Sequence, residues 1–426
     1  MTARKVIHVY ADWTALKGAQ FMGWLTADRV RGKEVFAFEY DKEWLTSPFA
    51  AVLDPALGLF SGPQYPHPDH TSFGAFLDSS PDRWGRVLLR RREAALARLD
   101  QRPERPLFES DFLLGVYDGH RMGGLRFKAD AAGPFLDDNE RFATPPWTSL
   151  RQLEAVSMRY EEDDAPSHPQ YLKWLRMLVA PGASLGGARP KASVVDEHGA
   201  LWIAKFPSIG DADDVGAWEF VAHRLALRAK VEMAPCRLTQ FSSRHHTFLA
   251  QRFDRTPQGG RVHFASAMTH LGYVDGQAGA SYLDIVDFIT SNGVAVEADL
   301  AQLYRRLVFN MAISNADDHL RNHGFLLTPG GWRLAPAYDL NPVETATGLH
   351  LNVSHTDNAC DWRLALAVAP FFRLRAEEAR GILSDVVVAI QFWREEAEAA
   401  GLSRSACDRK ARAFRTEWAA EIEGKG

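Results

Sequence analysis

Apolar and polar residues alternate over residues 5–10 and again over 34–40, the period of two that marks a half-buried strand. Gly18, Gly23 and Gly32 stand where such strands would turn, so the first part of the chain reads as a small β-rich unit. Over 79–97 the apolar spacing changes to three and four, with Pro81 near the start, and predicts a helix. The stretch 128–147 holds Gly133, Pro134, Pro145 and Pro146, reads as a linker, and sets a boundary near residue 135. Residues 192–195 and 200–206 predict two strands joined by a turn at Asp196, Glu197, His198 and Gly199. A helix over about 213–230 and a strand over 245–250 follow. Past Gly260 the pattern is helical, over 282–290, 298–314, 376–399 and 403–422. The chain is therefore expected to be α+β, with a β-rich part at 1–135, a second β part at 136–258 and a helical part at 259–426.

Composition narrows the class. A chain of 426 residues, 46% hydrophobic and 24% charged, is long enough for two or three packed domains and too apolar to be disordered. Cys236, Cys360 and Cys407 lie far apart, which excludes a CxxC zinc clip and a disulfide framework and fits a reducing cytoplasm. A net charge of −5 argues against gripping nucleic acid by bulk charge and leaves room for a local basic patch. The N-terminal stretch lacks the apolar core of a signal peptide, and no apolar run approaches a membrane span, so a soluble, cytoplasmic protein is expected. Trp13, Trp24, Trp44 and Trp84 are expected in the core of the first part.

Candidate chemistry begins with the glycine-rich run from Gly182 through Ser184, Gly186, Gly187 and Ala188 to Lys191. Its glycines would let backbone N–H groups approach phosphate oxygens. A Walker loop requires Lys-Ser/Thr after its last glycine and a helix beyond; here Ala188 and Arg189 follow Gly187, and then a strand. The GxGxxG spacing of a dinucleotide fold is also absent. What remains is a strand-flanked loop of the kind that covers phosphates in protein kinases. Lys205 shares a strand face with Leu201 and Ile203, and a lysine on an apolar face calls for an anionic partner. Glu219, on the following helix, is its candidate carboxylate.

The segment from Asn315 to Gly324 contains D-x-x-x-x-N at Asp317 and Asn322, the spacing of a kinase catalytic loop. A carboxylate there accepts or orients the proton of an attacking hydroxyl, and an uncharged amide oxygen can ligate Mg²⁺. Asp318 is the rival base. Asp339, after the turn at Pro329, Gly330 and Gly331, stands where a kinase keeps its metal-holding aspartate. His319 and His323 are spaced for zinc, but HLRNH lacks the glutamate of HExxH, and His319 reads as a residue supporting the loop.

Taken in order, Ser184–Lys191, Ile203-Ala-Lys205-Phe-Pro207, Gln251-Arg-Phe-Asp-Arg255, Asn315–Asn322 and Tyr338-Asp339 resemble the HipA-like serine/threonine kinases, the toxins of bacterial toxin–antitoxin pairs, and Pro81–Arg86 resembles their N-terminal subdomain. The resemblance implies a two-lobed, lipid-kinase-like α+β fold with an added N-terminal β-rich subdomain, using ATP and Mg²⁺. It makes Asp317 the catalytic base and Asn322 and Asp339 the metal ligands. Lys205, Lys191, Ser184, Gly186, Gly187, Ala188 and His319 become nucleotide contacts, and Gln251 and Phe253 the adenine hinge. Ser184 matches a serine whose autophosphorylation ejects the loop, as about −2 of charge in a phosphate site would. A helix-turn-helix antitoxin is implied as partner, DNA contact through that complex, and an aminoacyl-tRNA synthetase as the type of substrate. Arg321 and Arg189 depart from the residues common in the family. A catalytically silent corepressor and a small-molecule kinase are the alternative readings.

Overall fold

The computed structural model describes residues 4–136, 147–179 and 189–423. By its internal contacts the chain divides into two compact units. One comprises residues 1–210 with 251–265 and 272–274; the other comprises 211–250, 266–271 and 275–426. The division at 135 and 258 cuts the chain differently and is kept as a proposal about sequence modules.

The first unit opens with an antiparallel sheet of β1 (Lys5–Ala11), β2 (Gln20–Val30), β3 (Lys33–Tyr40) and, later in the chain, β4 (Leu125–Lys128), in the order β3-β2-β1-β4. Val30 pairs with Lys33 across a two-residue turn at Arg31 and Gly32, both at positive φ, the hairpin geometry that follows strand twist. Gly23 is not a turn. It lies inside β2 beside the register shift of β1, where a Cβ would stand 2.1 Å from the Glu39 carbonyl oxygen. Alternation puts Ile7, Val9, Met22, Leu25, Phe36 and Phe38 in the core, and Trp13, Trp44 and Trp84 are buried as expected, whereas Trp24 is only half-buried because alternation along β2 turns it away from the face of Leu25.

Between β3 and β4 runs α1 (Arg83–Leu99), capped by the Asp82 carboxylate, which accepts a hydrogen bond from Gly85 N at 2.7 Å. Its apolar face meets α2 (Leu150–Glu161) and α3 (Tyr171–Val179) through Trp84, Leu88, Tyr160, Trp174 and Leu175. These two helices lie in a stretch whose pattern predicted nothing definite. Then come β5 (Lys191–Val195) and β6 (Leu201–Lys205), paired antiparallel as expected. Their turn is fixed by Asp196, which accepts from His198 N, Ala200 N and the Trp202 indole, and by Gly199 at φ +81°.

The second unit holds α4 (Val215–Arg228), the hairpin of β7 (Cys236–Thr239) and β8 (Thr247–Gln251), then α5 (Tyr282–Asn292) and α6 (Val296–Ala312). Along α6, Leu300, Leu303, Leu307, Val308, Phe309 and Met311 are wholly buried, making it the axis of this unit. A short hairpin follows, β9 (Gly324–Thr328) with β10 (Gly331–Leu334).

The helix expected over 376–399 is two: α7 (Ala376–Ile390) and α8 (Trp393–Ala399). Gln391 N and Phe392 N bond three residues back, which tightens the turn and lets Trp393 stack on Phe414 at 4.6 Å. The helix expected over 403–422 is likewise broken, into α9 (Arg404–Lys410) and α10 (Trp418–Glu423), because Arg415 N bonds the Ala312 carbonyl instead of its own helix.

Candidate active site

In the second unit α6 stops where Ser314 enters the left-handed region at φ +51°, and Asn315 N closes back on the Asn310 carbonyl at 2.8 Å. The loop that follows sends its two neighbouring acids in opposite directions. The Asp317 side chain is 68% exposed, while Asp318 is 1% exposed. Asp318 Oδ2 accepts from Tyr282 Oη at 2.7 Å, and Oδ1 accepts from His350 N at 2.9 Å and Leu351 N at 3.3 Å. Both Asp318 oxygens are thus committed inside the protein, while of the two acids Asp317 is the one that faces solvent.

Burial pushes the Asp318 carboxyl up to about 7, against the hydrogen bonds from Tyr282, Leu351 and His350. A raised folded-state value means that the folded chain binds the extra proton between the ordinary aspartate range and neutrality. This contribution to stability is full at low pH and is lost as pH rises through about 7. Relative to Asp318→Asn, the wild-type chain is therefore expected to lose stability from about pH 4 to 7, by up to roughly 1.4 kcal/mol per pH unit. Urea denaturation across that range checks it; parallel stability curves for the two proteins would contradict it.

Asn322 closes the short turn of residues 320–322 and is 7% exposed. Its Nδ2 donates to the Asp317 carbonyl at 2.7 Å, which clasps the loop and leaves Oδ1 as the amide's acceptor atom. His319 Nε2 stands 3.9 Å from Asp317 Oδ1. Asp339 has φ +59°, a left-handed conformation uncommon outside glycine and characteristic of functional turns. Immediately before it, Tyr338 Oη donates to the Arg321 carbonyl at 2.6 Å, so the stretch carrying Asp339 is bonded to the loop carrying Asn322. An amide oxygen at Asn322 and a carboxylate at Asp339 are hard oxygen donors of the kind that suits Mg²⁺. Glu219 is buried on α4 in this unit, and burial, with the Glu219 charge behind it, pushes the Cys236 thiol up to about 12.

The first unit carries the other expected residues. Ser184, Gly186, Gly187 and Ala188 lie outside the described residues. Lys191 and Lys205 are direct cross-strand neighbours on β5 and β6. Lys205 is half-buried on the face it shares with Leu201 and Ile203. Lys191 is 2% exposed, and its Nζ meets Asp82 Oδ2 at 2.8 Å, so its ammonium already has a carboxylate inside the protein. Beyond Gln251, Arg252 N donates to the Leu201 carbonyl at 2.9 Å, and Phe253 lies 5.9 Å from the Phe264 ring.

Sequence reasoning gave roles to Gln251 and Phe253 and passed over the charges between and after them. Asp254, fully buried, receives Arg252 Nε at 2.8 Å, Arg252 Nη2 and Arg255 Nη1 at 2.6 Å each, and Gly123 N at 2.9 Å. Both guanidiniums continue to the carbonyls of residues 119–121. An aspartate flanked by two arginines within a few residues was the available signal.

Residues 183–393 match the family model of the HipA-like C-terminal domain. The serine/threonine-protein kinase toxin HipA of Shewanella oneidensis is 28% identical over 262 residues, which is 54% of this chain and 58% of that protein. The alignment thus spans little more than half the length of this curated relative. Among solved structures, the Shewanella oneidensis MR-1 toxin–antitoxin complex of HipA, HipB and operator DNA contains a chain that matches with a TM-score of 0.64 at 18% identity, over 96% of this chain and 94% of that one. Identity that low speaks for the fold alone.

The fold is α+β, shared with the HipA chain of that complex. Within this chain it is residues 183–393 that are similar to the HipA-like C-terminal domain. Among the described residues, no helix is long and apolar enough to cross a membrane.

Proposed function

We propose that this chain is an ATP- and Mg²⁺-dependent serine/threonine protein kinase that acts as a growth-inhibiting toxin. The observation that carries the reading is the loop in which Asn322 clasps the Asp317 backbone, with Asp317 exposed and Asp318 locked inside. Asp317 accepts or orients the proton of the attacking hydroxyl; Asn322 and Asp339 hold the metal, with His319 beside them. Bound Mg²⁺ supplies positive charge to the phosphate oxygens. Lys205 contacts the phosphates, and Gln251 and Phe253 the adenine. The Lys191 ammonium is already paired with Asp82 and is 2% exposed, so Lys205 carries the greater part of that assignment.

The glycine-rich run with Ser184, Gly186, Gly187 and Ala188 covers the nucleotide, and phosphorylation of Ser184 shuts the enzyme off by placing charge where the phosphates belong. A helix-turn-helix antitoxin is the proposed partner, supported by the presence of HipB and operator DNA in the complex of the matching structure. DNA is reached through that partner. The proposed substrate is a protein of the translation machinery, such as an aminoacyl-tRNA synthetase, and the place of action the cytoplasm.

Calorimetric titration with ATP, with and without Mg²⁺, separates this reading from a silent corepressor. Wild type is expected to bind ATP in a Mg²⁺-dependent manner. Asp339→Ala is expected to lose at least the roughly 10- to 100-fold in metal affinity that removal of an outer-shell partner alone can cost. Metal-independent binding, identical in the two proteins, would overturn the proposal.

A further inference from the structure

The polar groups behind the catalytic loop form a closed arrangement that nothing in the phosphoryl-transfer chemistry requires. Asn315 Nδ2 donates to Asn310 Oδ1 at 3.1 Å, Asn310 Nδ2 donates to Tyr282 Oη at 2.9 Å, and Tyr282 Oη donates to Asp318 Oδ2 at 2.7 Å. The other Asp318 oxygen takes the backbone N–H groups of His350 and Leu351. The chain then returns to its start. Tyr282 N donates to the Asn352 carbonyl at 2.9 Å, and Asn352 N donates to the Ala280 carbonyl at the same distance. Tyr282 therefore holds Asp318 with its side chain and the 350–352 stretch with its backbone. Leu349 and Asn358 close the far side of that stretch through two further bonds, Leu349 N to the Asn358 carbonyl and Asn358 Nδ2 to the Leu349 carbonyl.

Each of these groups is one whose loss is costly. Tyr282, Asn310, Asn315 and Asp318 are at most 2% exposed. A buried polar atom stripped of its partner forfeits the full desolvation penalty, so a ring of them tends to be made or broken as a whole. The 350–352 stretch lies beyond Asp339 in the chain, and Asp318 is bonded covalently to Asp317. Any displacement of the stretch is thus carried to the exposed carboxylate through one buried side chain and one peptide bond. His350 also meets the His319 ring edge-on at 5.9 Å, a second contact between the same two segments.

We propose that Asp318 is a positioning residue that couples the 349–352 stretch to the catalytic loop, so that the stretch, when seated, fixes the orientation of Asp317. This rests on the kinase reading for its catalytic consequence and on the hydrogen-bond ring alone for the coupling. Releasing the stretch frees Asp318, and Asp317 then loses its fixed direction without losing its exposure. The effect belongs to turnover rather than to nucleotide capture, since neither Asp318 nor Tyr282 reaches solvent.

Two measurements on full-length protein test it, with Asp318→Ala, Asp318→Asn and Tyr282→Phe beside wild type. Backbone hydrogen exchange reads the coupling whether or not the chain is a kinase. His350 and Leu351 amides are expected to exchange at least about tenfold faster in Asp318→Ala, with exchange over 315–323 rising alongside. Unchanged exchange at 350–351, or acceleration there that leaves 315–323 untouched, overturns the coupling. Steady-state phosphoryl transfer reads the consequence: kcat is expected to fall about 10- to 100-fold in Tyr282→Phe and Asp318→Ala with the KM for ATP within about twofold, and Asp318→Asn, which keeps an acceptor for the two amides, to recover part of it. A kcat unchanged in the variants of an active wild type overturns the positioning role. A wild type without any transfer overturns the kinase reading instead, and the exchange result still decides the coupling.

Discussion

Replacing Asp317 by alanine is expected to lower transfer of the γ-phosphoryl group from ATP to a protein hydroxyl by roughly two to four orders of magnitude, the usual contribution of a positioned general base. The chain should stay folded. The Asp317 side chain is 68% exposed, and its ion contact among the described residues is His319 at 3.9 Å. Removing it from the surface should therefore change stability by no more than about 0.5 kcal/mol. The loop itself is held by the Asn322 amide on the Asp317 carbonyl, an interaction of the backbone that alanine preserves. Incorporation of label from γ-labelled ATP, read together with a denaturation curve, separates the two effects. Equal incorporation by mutant and wild type would remove Asp317 from the mechanism. A large loss of stability would show instead that the exposed acid is structural.

The second large effect is expected in the other unit and concerns folding. Asp254 lies between Arg252 and Arg255 with no solvent access, and the two arginines hold its carboxyl far below the usual carboxylate range despite burial. Asp254→Ala leaves two guanidiniums buried beside one another without their anion. Breaking a buried pair by removing one partner costs about 3–5 kcal/mol, a large share of the stability of an ordinary domain. Asp254→Asn keeps the shape and some acceptors, so its loss should be smaller. A depressed value means that this stabilisation is intact above the ordinary aspartate range and is lost only as pH falls through the much lower folded-state value. Wild type should accordingly keep it through mild acid. Denaturant unfolding of the three proteins provides the measurement; wild-type midpoints for Asp254→Ala would show that the cluster contributes nothing.

These two residues also mark where the amino-acid pattern is informative and where it is not. Spacing along the chain carries Asp317 and Asn322, because a loop of fixed length needs its acid and its amide a fixed distance apart. The β5–β6 hairpin is equally local: Asp196 and Gly199 set its turn within the residues they join. Asp254 and Lys191 are of the other kind. The partner of Lys191 is Asp82, 109 residues earlier in the chain, and the Arg252 and Arg255 guanidiniums end on residues 119–121; no local period encodes such meetings. The contrast between Asp317 and Asp318 is likewise tertiary, decided by Tyr282 and by amides at 350 and 351. The helix breaks near Gln391 and Phe414 escaped the pattern because apolar spacing continues through them, while a stacked pair of rings and a backbone bond to Ala312 redirect the chain.

The pairing of Asp82 with Lys191 has a bearing on what can be inherited or transplanted. The match to the HipA-like C-terminal domain spans 183–393, yet β5, the first strand inside it, buries a lysine whose counter-charge belongs to residue 82, and the arginines that follow β8 rest on carbonyls at 119–121. A segment cut at the family boundary would leave Lys191 without its carboxylate and the two arginines without their carbonyl acceptors. The family boundary is thus a unit of descent but not of autonomy. The preceding residues supply the Asp82 carboxylate and the carbonyls at 119–121 on which Lys191, Arg252 and Arg255 rest, and the two stretches are constrained to change together.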